Sequence, residues 1–280
     1  MLAATGLANA EDAAGRWVPG LSFVTGALVH EREGAIESVE RGGGVGDSRP
    51  AFAFVGVGAE LSTPALVRSG VRPRLFVRSD VSWSLDRDEG LVNQDDPGVP
   101  IVPAINNYPV LGVSGQGQAM RVRALPLTVA SGLGVSLAFD ALGREFRIKP
   151  SVNWIWQRDE INLRFGHVES EGPNVDFCAP CRSVSIDTKL REDRHALGPG
   201  LEIEIDAARR RDLVMTLFAG VEAHRLLGDS RVDVSGIGSW TTDGVPSVGR
   251  APSTLSGTYE RSDWSYRVRL GLRVLWQPEE

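Results

Sequence analysis

The stretch at residues 264–276, WSYRVRLGLRVLW, alternates between apolar and polar positions near the end of the chain. Its even positions are all apolar or aromatic, whereas Arg267, Arg269 and Arg273 occupy odd positions. A period of two is typical of a β-strand, in which successive side chains point to opposite faces of the sheet. Strands of soluble proteins usually have about 5–6 residues. The stretch therefore predicts an unusually long strand, and the fold depends on which of its two faces points inward.

The same separation of odd and even positions recurs along the chain. We predict about eight strands, at 17–30, 50–62, 71–85, 119–139, 145–168, 193–207, 212–226 and 261–276. Short links between strands alternate with long polar links rich in Gly, Pro, Asp and Ser. Within 145–168 the apolar residues change parity near Gln157–Asp159, which predicts a β-bulge there.

Composition narrows the possible classes of protein. Hydrophobic residues make up 42% and charged residues 24% of the 280 residues, a balance typical of a folded chain. The net charge is −6 without a basic block, which argues against nucleic acid as a partner. The sequence contains no run of 18 apolar residues, so no transmembrane helix is predicted.

The two ends of the sequence are interpreted separately from the domain. Ala8-Asn9-Ala10 fits the cleavage pattern of a secretory signal, so 1–16 is interpreted as a signal-peptide remnant and N-terminal lead. A single β-barrel domain is predicted at 17–276, followed by a C-terminal tail at 277–280.

Two arrangements of the alternating strands are possible. A soluble sandwich or lipocalin-like barrel would bury the apolar face. A membrane barrel would bury the arginines and turn the apolar face towards lipid. Strand length and aromatic residues near the ends of the apolar stripes favour the membrane barrel. The predicted aromatic girdle consists of Trp17, Trp83, Phe146, Trp154, Trp156, Trp264, Tyr266 and Trp276.

Complementary charges on the polar faces also favour the membrane barrel. Antiparallel pairing would place Arg147 and Lys149 near Glu204 and Asp206. Glu222 is expected beside the C-terminal arginines, and Glu60 beside Arg72 and Arg74. Charges inside a narrow lumen must be paired, because an unpaired buried charge costs several kcal/mol. The predicted lumen charge network consists of Glu60, Arg72, Arg74, Arg78, Arg147, Lys149, Glu202, Glu204, Asp206, Glu222, Arg267, Arg269 and Arg273.

On these strands and girdles the chain resembles the small outer-membrane β-barrels of Gram-negative bacteria, the OmpA/OmpX type. The resemblance implies an all-β, transmembrane, antiparallel up-and-down barrel with short periplasmic turns and long extracellular loops. It also implies a place in the outer membrane, contact with membrane lipid and lipopolysaccharide, and insertion by the barrel-assembly machinery. In that class the last strand usually ends the chain at an aromatic residue, whereas here Gln277-Pro278-Glu279-Glu280 follows Trp276.

Two cysteines form a C-x-x-C motif, Cys178-Ala179-Pro180-Cys181, in a long link. In an oxidising compartment a local disulfide is the simplest interpretation. A redox site and metal binding together with Asp176, His167 or His195 are the alternatives. Neither a metal nor a cofactor is predicted.

Catalytic patterns are weak throughout the sequence. No serine spacing singles out a nucleophile, so no catalytic residue is assigned. The Gly-rich stretch at 41–46 lacks the Lys-Ser/Thr of a phosphate loop. A structural or surface-interaction role, with loops that contact a protein partner, is therefore expected. The alternatives are a narrow porin-like channel, a lipid-modifying barrel enzyme, and a soluble periplasmic barrel that binds an apolar ligand.

Overall fold

The computed structural model describes residues 16–40, 42–67, 70–85, 89–95, 115–124, 127–170, 181–242, 245–247 and 249–277. These residues form one antiparallel sheet of fourteen strands, so the prediction of an all-β chain is confirmed. Among them, no helix is long and apolar enough to cross a membrane. The interpreted signal-peptide remnant, apart from Arg16, and residues 278–280 of the predicted tail lie outside the described residues.

Eight long strands pair in succession. They are β1 (Val18–Ser38), β3 (Ala51–Ser62), β4 (Arg72–Ser84), β7 (Leu127–Ala141), β8 (Arg144–Ser170), β9 (Cys181–Arg210), β10 (Leu213–Leu227) and β14 (Ser253–Trp276). Each pairs with the next in this order, and β14 pairs with β1 from Gly20 opposite Leu275 to Ser38 opposite Leu255. Each long strand therefore has a long neighbour on both sides, and we call the eight together the ring.

Short turns join the long strands at one end of the ring, as the short links predicted. The β7–β8 turn contains Leu142 and Gly143, both with positive φ (53° and 72°). Two successive positive φ values are typical of a type I′ turn, whose twist matches that of the flanking strands. Arg211, with φ 49°, lies in the β9–β10 turn.

Six shorter strands lie in the long links. They are β2 (Gly42–Ser48), β5 (Glu89–Asp95), β6 (Gly115–Ala124), β11 (Arg231–Gly238), β12 (Thr241–Thr242) and β13 (Val245–Pro246). The prediction of about eight strands therefore counts only the long ones. The predicted strand 119–139 is wrong, because β6 pairs with the far part of β8, whereas β7 pairs with β4 and the near part of β8. The sequence separates them with Pro126, which cannot donate a ladder hydrogen bond.

Inward and outward faces exchange chemical character along the long strands. In 264–276 of β14 the outward residues are apolar and exposed, and the inward arginines are buried. In 253–261 of the same strand the inward residues include buried Leu255 and Tyr259, and the outward residues are polar. Strand β14 is continuous through this exchange, although its ladder with β1 shifts register between His30 and Arg32.

Strand β8 shows the same exchange and corrects the predicted bulge. Its odd positions face inward throughout, from Arg147 to Phe165. Its register with β9 runs without a shift from Phe146 opposite Ile205 to Ser170 opposite Cys181. The apolar residues change parity near Gln157–Asp159 because the inside becomes apolar at that level, and no extra residue is inserted.

The outward apolar residues form a continuous belt around the ring, which we call the apolar band. It comprises Trp17 and the outward residues of 18–29 of β1, 51–61 of β3, 73–83 of β4, 127–139 of β7, 146–156 of β8, 197–205 of β9, 213–223 of β10 and 264–276 of β14. The apolar band ends at matching positions on neighbouring strands. Val29 lies opposite both Ala51 and Tyr266, and Trp83 lies opposite Leu127.

Beyond the apolar band the strands continue into what we call the distal half, made of 31–38, 157–170, 181–194, 253–263 and the short strands. Here β2, β1, β14 and β11 form one side, and β5, β6, β8 and β9 form the other. The two sides enclose an apolar core that includes Ile36, Met120, Leu163, Phe165 and Leu255. Glycines allow the sides to approach closely, since a Cβ on Gly46 would lie 2.0 Å from the Leu91 carbonyl oxygen.

Candidate functional site

Charged side chains, all of them buried except the half-buried Asp206, fill the ring at the level of the apolar band. We call this set the charge network, and it consists of Glu60, Arg78, Asp80, Arg147, Lys149, Glu202, Glu204, Asp206, Glu222, Arg267, Arg269 and Arg273. It contains six basic and six acidic side chains. They face inward because they occupy the inward parity of strands whose other parity carries the apolar band.

Lys149 and Arg273 organise the half of the network nearer the short turns. The Lys149 ammonium lies 2.5 Å from Glu60 and 3.1 Å from Glu204. One guanidinium nitrogen of Arg273 lies 2.8 Å from Glu202 and 2.7 Å from Glu204. Each charge therefore has more than one partner of opposite sign, as a buried ion pair requires to offset its desolvation.

Glu222 organises the other half of the network. It accepts hydrogen bonds from Arg78 and Arg269, both at 2.7 Å. Arg267 lies 3.5 Å from the second carboxylate oxygen and donates to Asp80 at 2.5 Å. Asp80 lies on the predicted polar face of its strand, but the sequence did not single it out as a network member.

Aromatic rings and small cavities occupy the rest of this level. The guanidinium of Arg267 lies 4.5 Å from the centre of the Phe54 ring, and that of Arg273 lies 4.6 Å from Phe218. A cavity of about 20 Å³ lies against Ser82, Thr128 and Gln157. That volume holds roughly one water molecule.

The structure brings together most of the charged residues predicted for the lumen. Arg147 bridges Glu204, Asp206 and Glu145, with the shortest contact at 2.5 Å to Glu145. The predicted pairing of Arg147 and Lys149 with acidic residues of β9 is present in the register, Arg147 opposite Glu204 and Lys149 opposite Glu202.

Two predicted neighbours are wrong. Glu60 does not lie beside Arg72 and Arg74. The first four residues of β4 extend past the end of β3, so Glu60 lies opposite Arg78. Arg72 pairs instead with Asp140 at 3.1 Å and Glu145 at 2.8 Å, at the short-turn end. Arg74 is half-buried on the inward parity of β4.

A second buried polar cluster, which the sequence did not predict, lies where the apolar band meets the distal half. We call it the arginine layer, and it consists of His30, Arg32, Gln157, Asp159, Arg194, Tyr259 and Arg261. Arg32 and Arg261 lie 3.7 and 3.5 Å from Asp159, and Tyr259 donates a hydrogen bond to it at 3.3 Å. Burial and the Asp159 charge raise the pKa of the Tyr259 hydroxyl.

The residues predicted as an aromatic girdle lie outward in two rows at the margins of the apolar band. Trp17, Phe146 and Trp276 lie at the short-turn margin, and Trp83, Trp154, Trp156, Trp264 and Tyr266 lie at the distal margin. His195 stacks on Trp154 with ring centres 5.6 Å apart. Just beyond this row, Arg158 donates two hydrogen bonds to Asp193, at 2.6 and 2.9 Å. The Arg158 hydrogen bond lowers the pKa of the Asp193 carboxyl.

The predicted disulfide lies outside the described residues, since Cys178 and the side chain of Cys181 are not among them. Within the described ranges, no group of three His, Cys, Asp or Glu side chains is placed to hold a metal ion. His224 faces inward, and its Nε2 lies 3.5 Å from the Glu222 carboxylate.

Comparison with known proteins gives distant likenesses. No protein-family model and no curated protein sequence matches the chain. A major outer membrane protein from Thermus thermophilus is similar in structure at 10% identity and a TM-score of 0.34, covering 92% of this chain and 99% of that one. The outer membrane protease OmpT from Escherichia coli (8% identity, TM-score 0.24) covers 91% of this chain and 96% of its own. A Pseudomonas aeruginosa FadL homologue (8%, TM-score 0.25) covers 95% and 92%.

Proposed function

We propose that the ring is an eight-stranded transmembrane β-barrel of the outer membrane, with a structural and surface-interaction role and a closed interior. One observation carries the proposal. At one level of the long strands the inward face changes from charged to apolar, and the outward face changes from apolar to polar. Outside the band, water-facing positions are polar and the core is apolar, as in a soluble protein. Inside the band the order is reversed, which lipid around the ring explains.

Exposed area supports the same conclusion. On β14 alone Val268, Leu270 and Trp276 are 46%, 52% and 58% exposed. Soluble monomers rarely expose contiguous apolar patches beyond a few hundred Å², whereas this belt surrounds the whole ring. Aromatic residues at both margins suit the lipid headgroup level.

The height of the apolar band suits a bilayer. A segment from Trp264 to Trp276 rises about 3.3 Å per residue, roughly 40 Å along the strand. A strand tilt near 40° reduces this to about 30 Å, close to the thickness of a hydrocarbon core.

A closed interior is supported at three successive levels. The charge network is paired and buried, the arginine layer lies above it, and the apolar core of the distal half lies above both. Eight strands enclose an interior just wide enough for side chains. These features favour a packed barrel over the channel alternative, so partners are expected at the outer faces and the distal half.

The experiment that tests this proposal measures tryptophan depth. Variants that keep a single tryptophan, either Trp276 or Trp240, are folded into vesicles that contain brominated lipids. Trp276 lies at the margin of the band, and Trp240 is buried in the distal core. We expect bromine near the headgroups to quench Trp276 and to leave Trp240 bright.

Equal quenching of the two tryptophans, or recovery of the chain in the soluble fraction without detergent, would overturn the membrane proposal. Planar bilayers test the closed interior in the same preparation. We expect no stable conductance steps, and regular steps would instead support a narrow channel.

A further inference from the structure

The two sides of the distal half carry opposite charge on their outward faces. We call the first the acidic face, and it consists of the outward residues of 31–37 in β1, 43–49 in and next to β2, 231–237 in β11 and 254–260 in β14. We call the second the basic face, and it consists of the outward residues of 117–123 in β6, 158–166 in β8 and 185–193 in β9. Because the two sides enclose an apolar core, the two faces point in opposite directions.

The acidic face has a net charge of −4. Its carboxylates belong to Glu31, Glu33, Glu37, Asp47, Asp233 and Glu260, and its guanidinium groups to Arg49 and Arg231. Arg49 pairs with Glu31, and Arg231 lies 3.4 Å from Asp233. The other four carboxylates form no ion pair within the described ranges, so most of the negative charge on this face is available to a partner.

The basic face has a net charge of +3. Its positive charges belong to Arg121, Arg123, Arg158, Arg164, Lys189 and Arg191, and its carboxylates to Glu160, Asp187 and Asp193. Each carboxylate pairs with an arginine of the neighbouring strand, at 2.9, 3.3 and 2.6 Å respectively. Among the residues that the structure describes, Arg121, Arg123 and Lys189 form no ion pair. Three positive charges on this face are therefore available to a partner.

Three carboxylates stand side by side on the acidic face, and we call them the carboxylate row. Glu33 of β1 lies directly opposite both Asp47 of β2 and Glu260 of β14. Like charges at opposed positions destabilise a sheet. A groove of about 500 Å³ lies along the row, and its lining also includes the small residues Ala35 and Gly46. The row therefore offers both negative charge and space to long, positively charged side chains.

The basic face carries a matching arrangement, which we call the cation row. Arg121 of β6 and Lys189 of β9 both lie opposite Asn162 of β8, so a neutral side chain separates two positive charges. Each row crosses three neighbouring strands, and strands lie about 4.8 Å apart, so both rows are roughly 10 Å wide. The two rows therefore match in width and are opposite in charge.

We propose that the acidic face of one copy of this chain binds the basic face of a second copy beside it. The inference rests on the proposed function, because a barrel that crosses the bilayer holds its two faces at a fixed height. Glu31 lies two residues beyond Val29 and Arg158 two residues beyond Trp156, so both faces begin at the distal margin of the apolar band. Complementary charge gives such a contact its specificity. Because the contact joins two different faces, each pair keeps one free face of each kind and can add further copies.

Energy transfer between copies in phosphatidylcholine vesicles tests the proposal. The copies carry a donor or an acceptor dye on a peptide tag added at the C-terminus. Glu33→Lys/Glu260→Lys makes the carboxylate row positive, and Arg121→Glu/Lys189→Glu makes the cation row negative. We expect transfer above the random level for the unsubstituted chain and transfer at the random level for each variant alone, because like charges then meet.

An equal mixture of the two variants provides the decisive arm. Each reversed row then meets a row of opposite charge on the other variant, so we expect transfer to return. The control variant Arg210→Glu/Arg211→Glu reverses two exposed charges at the short-turn end and should leave transfer unchanged. If a lysine or glutamate variant fails to fold, the corresponding glutamine substitutions replace it and should also lower transfer.

Flotation of the vesicles separates the failure of this inference from the failure of the proposed function. A chain that does not float with the vesicles overturns the membrane proposal and this inference with it. A floating chain with transfer at the random level overturns the contact between copies alone. Transfer that survives both reversals would place the contact on the apolar band, and transfer that requires added anionic lipid would assign the basic face to lipid headgroups. Either result overturns the proposal, as does a mixture of the two variants that stays at the random level.

Discussion

Replacing Glu222 with glutamine tests whether the inside of the ring is dry. Its carboxylate accepts hydrogen bonds from Arg78 and Arg269 at 2.7 Å and lies 3.5 Å from Arg267. Glutamine keeps the volume and one acceptor oxygen but removes the negative charge. Three buried guanidinium groups would then share fewer counter-charges.

The loss of stability in Glu222→Gln depends on how much water reaches the buried charges. Removing one partner of a buried ion pair destabilises a protein by about 3–5 kcal/mol, since the other charge stays buried and uncompensated. Glu222 is 4% exposed, so we expect a loss within that range. The double variant Glu222→Gln/Arg269→Met should recover part of the loss, because it removes a positive charge together with the negative one.

Urea unfolding in detergent micelles, followed by tryptophan fluorescence and by the heat-dependent mobility of the folded band on gels, measures the change. Asp193→Asn is the matched control, because it breaks an ion pair with Arg158 at 2.6 Å that is exposed to solvent. Exposed pairs contribute little. If Glu222→Gln shifts the urea midpoint no more than Asp193→Asn does, the interior is hydrated and the channel alternative gains support.

Three further predictions concern other levels of the strands. Val268→Arg, on the outer face within the apolar band, should lower the free energy of unfolding in vesicles by about 2–4 kcal/mol. Ser256→Arg, on the same face of the same strand in the distal half, should leave it almost unchanged. Equal urea midpoints of the two variants would refute lipid contact. Leu163→Ala removes a fully buried side chain of the distal core and should cost about 2–5 kcal/mol by urea titration. Burial and Asp159 raise the pKa of Tyr259, so its folded form retains the proton that the unfolded chain loses above about pH 10. Stability should therefore fall above that pH in the unsubstituted protein, and less steeply in Tyr259→Phe.

The sequence could predict a strand and its two faces where apolar residues alternate strictly with polar ones. Residues 264–276 alternate without exception on their outward side, and both faces of that strand lie as the alternation predicted. The contact of Arg147 with Glu204 was also predictable, since the two strands are consecutive and antiparallel and carry opposite charges on the same parity. The alternation within a strand therefore predicts its faces, and the pairing of consecutive strands predicts contacts between them.

Strand β8 shows what parity alone cannot tell. A change of apolar residues from even to odd positions has two physical causes, an inserted residue or a change of solvent around an unbroken strand. The sequence alone predicted a bulge near Gln157–Asp159, whereas the unshifted ladder shows an unbroken strand, which the proposed lipid around the apolar band explains. The available signal was the outward series Arg158, Glu160 and Arg164, which becomes charged where the inward series becomes apolar.

The arginine layer was missed for a different reason. Arg32, Arg194 and Arg261 are far apart in sequence and form no motif. What they share is position, because each lies on the inward parity a few residues beyond the distal margin of the apolar band. Finding the layer requires the correct register of every strand, and the misplaced partner of Glu60 shows that the length of a turn does not fix that register.

In the proposed membrane barrel, two kinds of interior stabilise one set of strands, of which one part is surrounded by lipid and the other by water. If lipid surrounds the apolar band, as proposed, its outer face gains nothing from association, so ion pairs such as Lys149 with Glu60 must hold the strands from inside. In the distal half water surrounds the outer face, and the hydrophobic effect acts on the core around Leu163 and Phe165. In both parts of the ring, side chains that stabilise the fold fill the interior. The proposed partners would therefore bind the outward faces of the distal half, where side chains such as Glu33 and Glu260 point away from the inside of the ring.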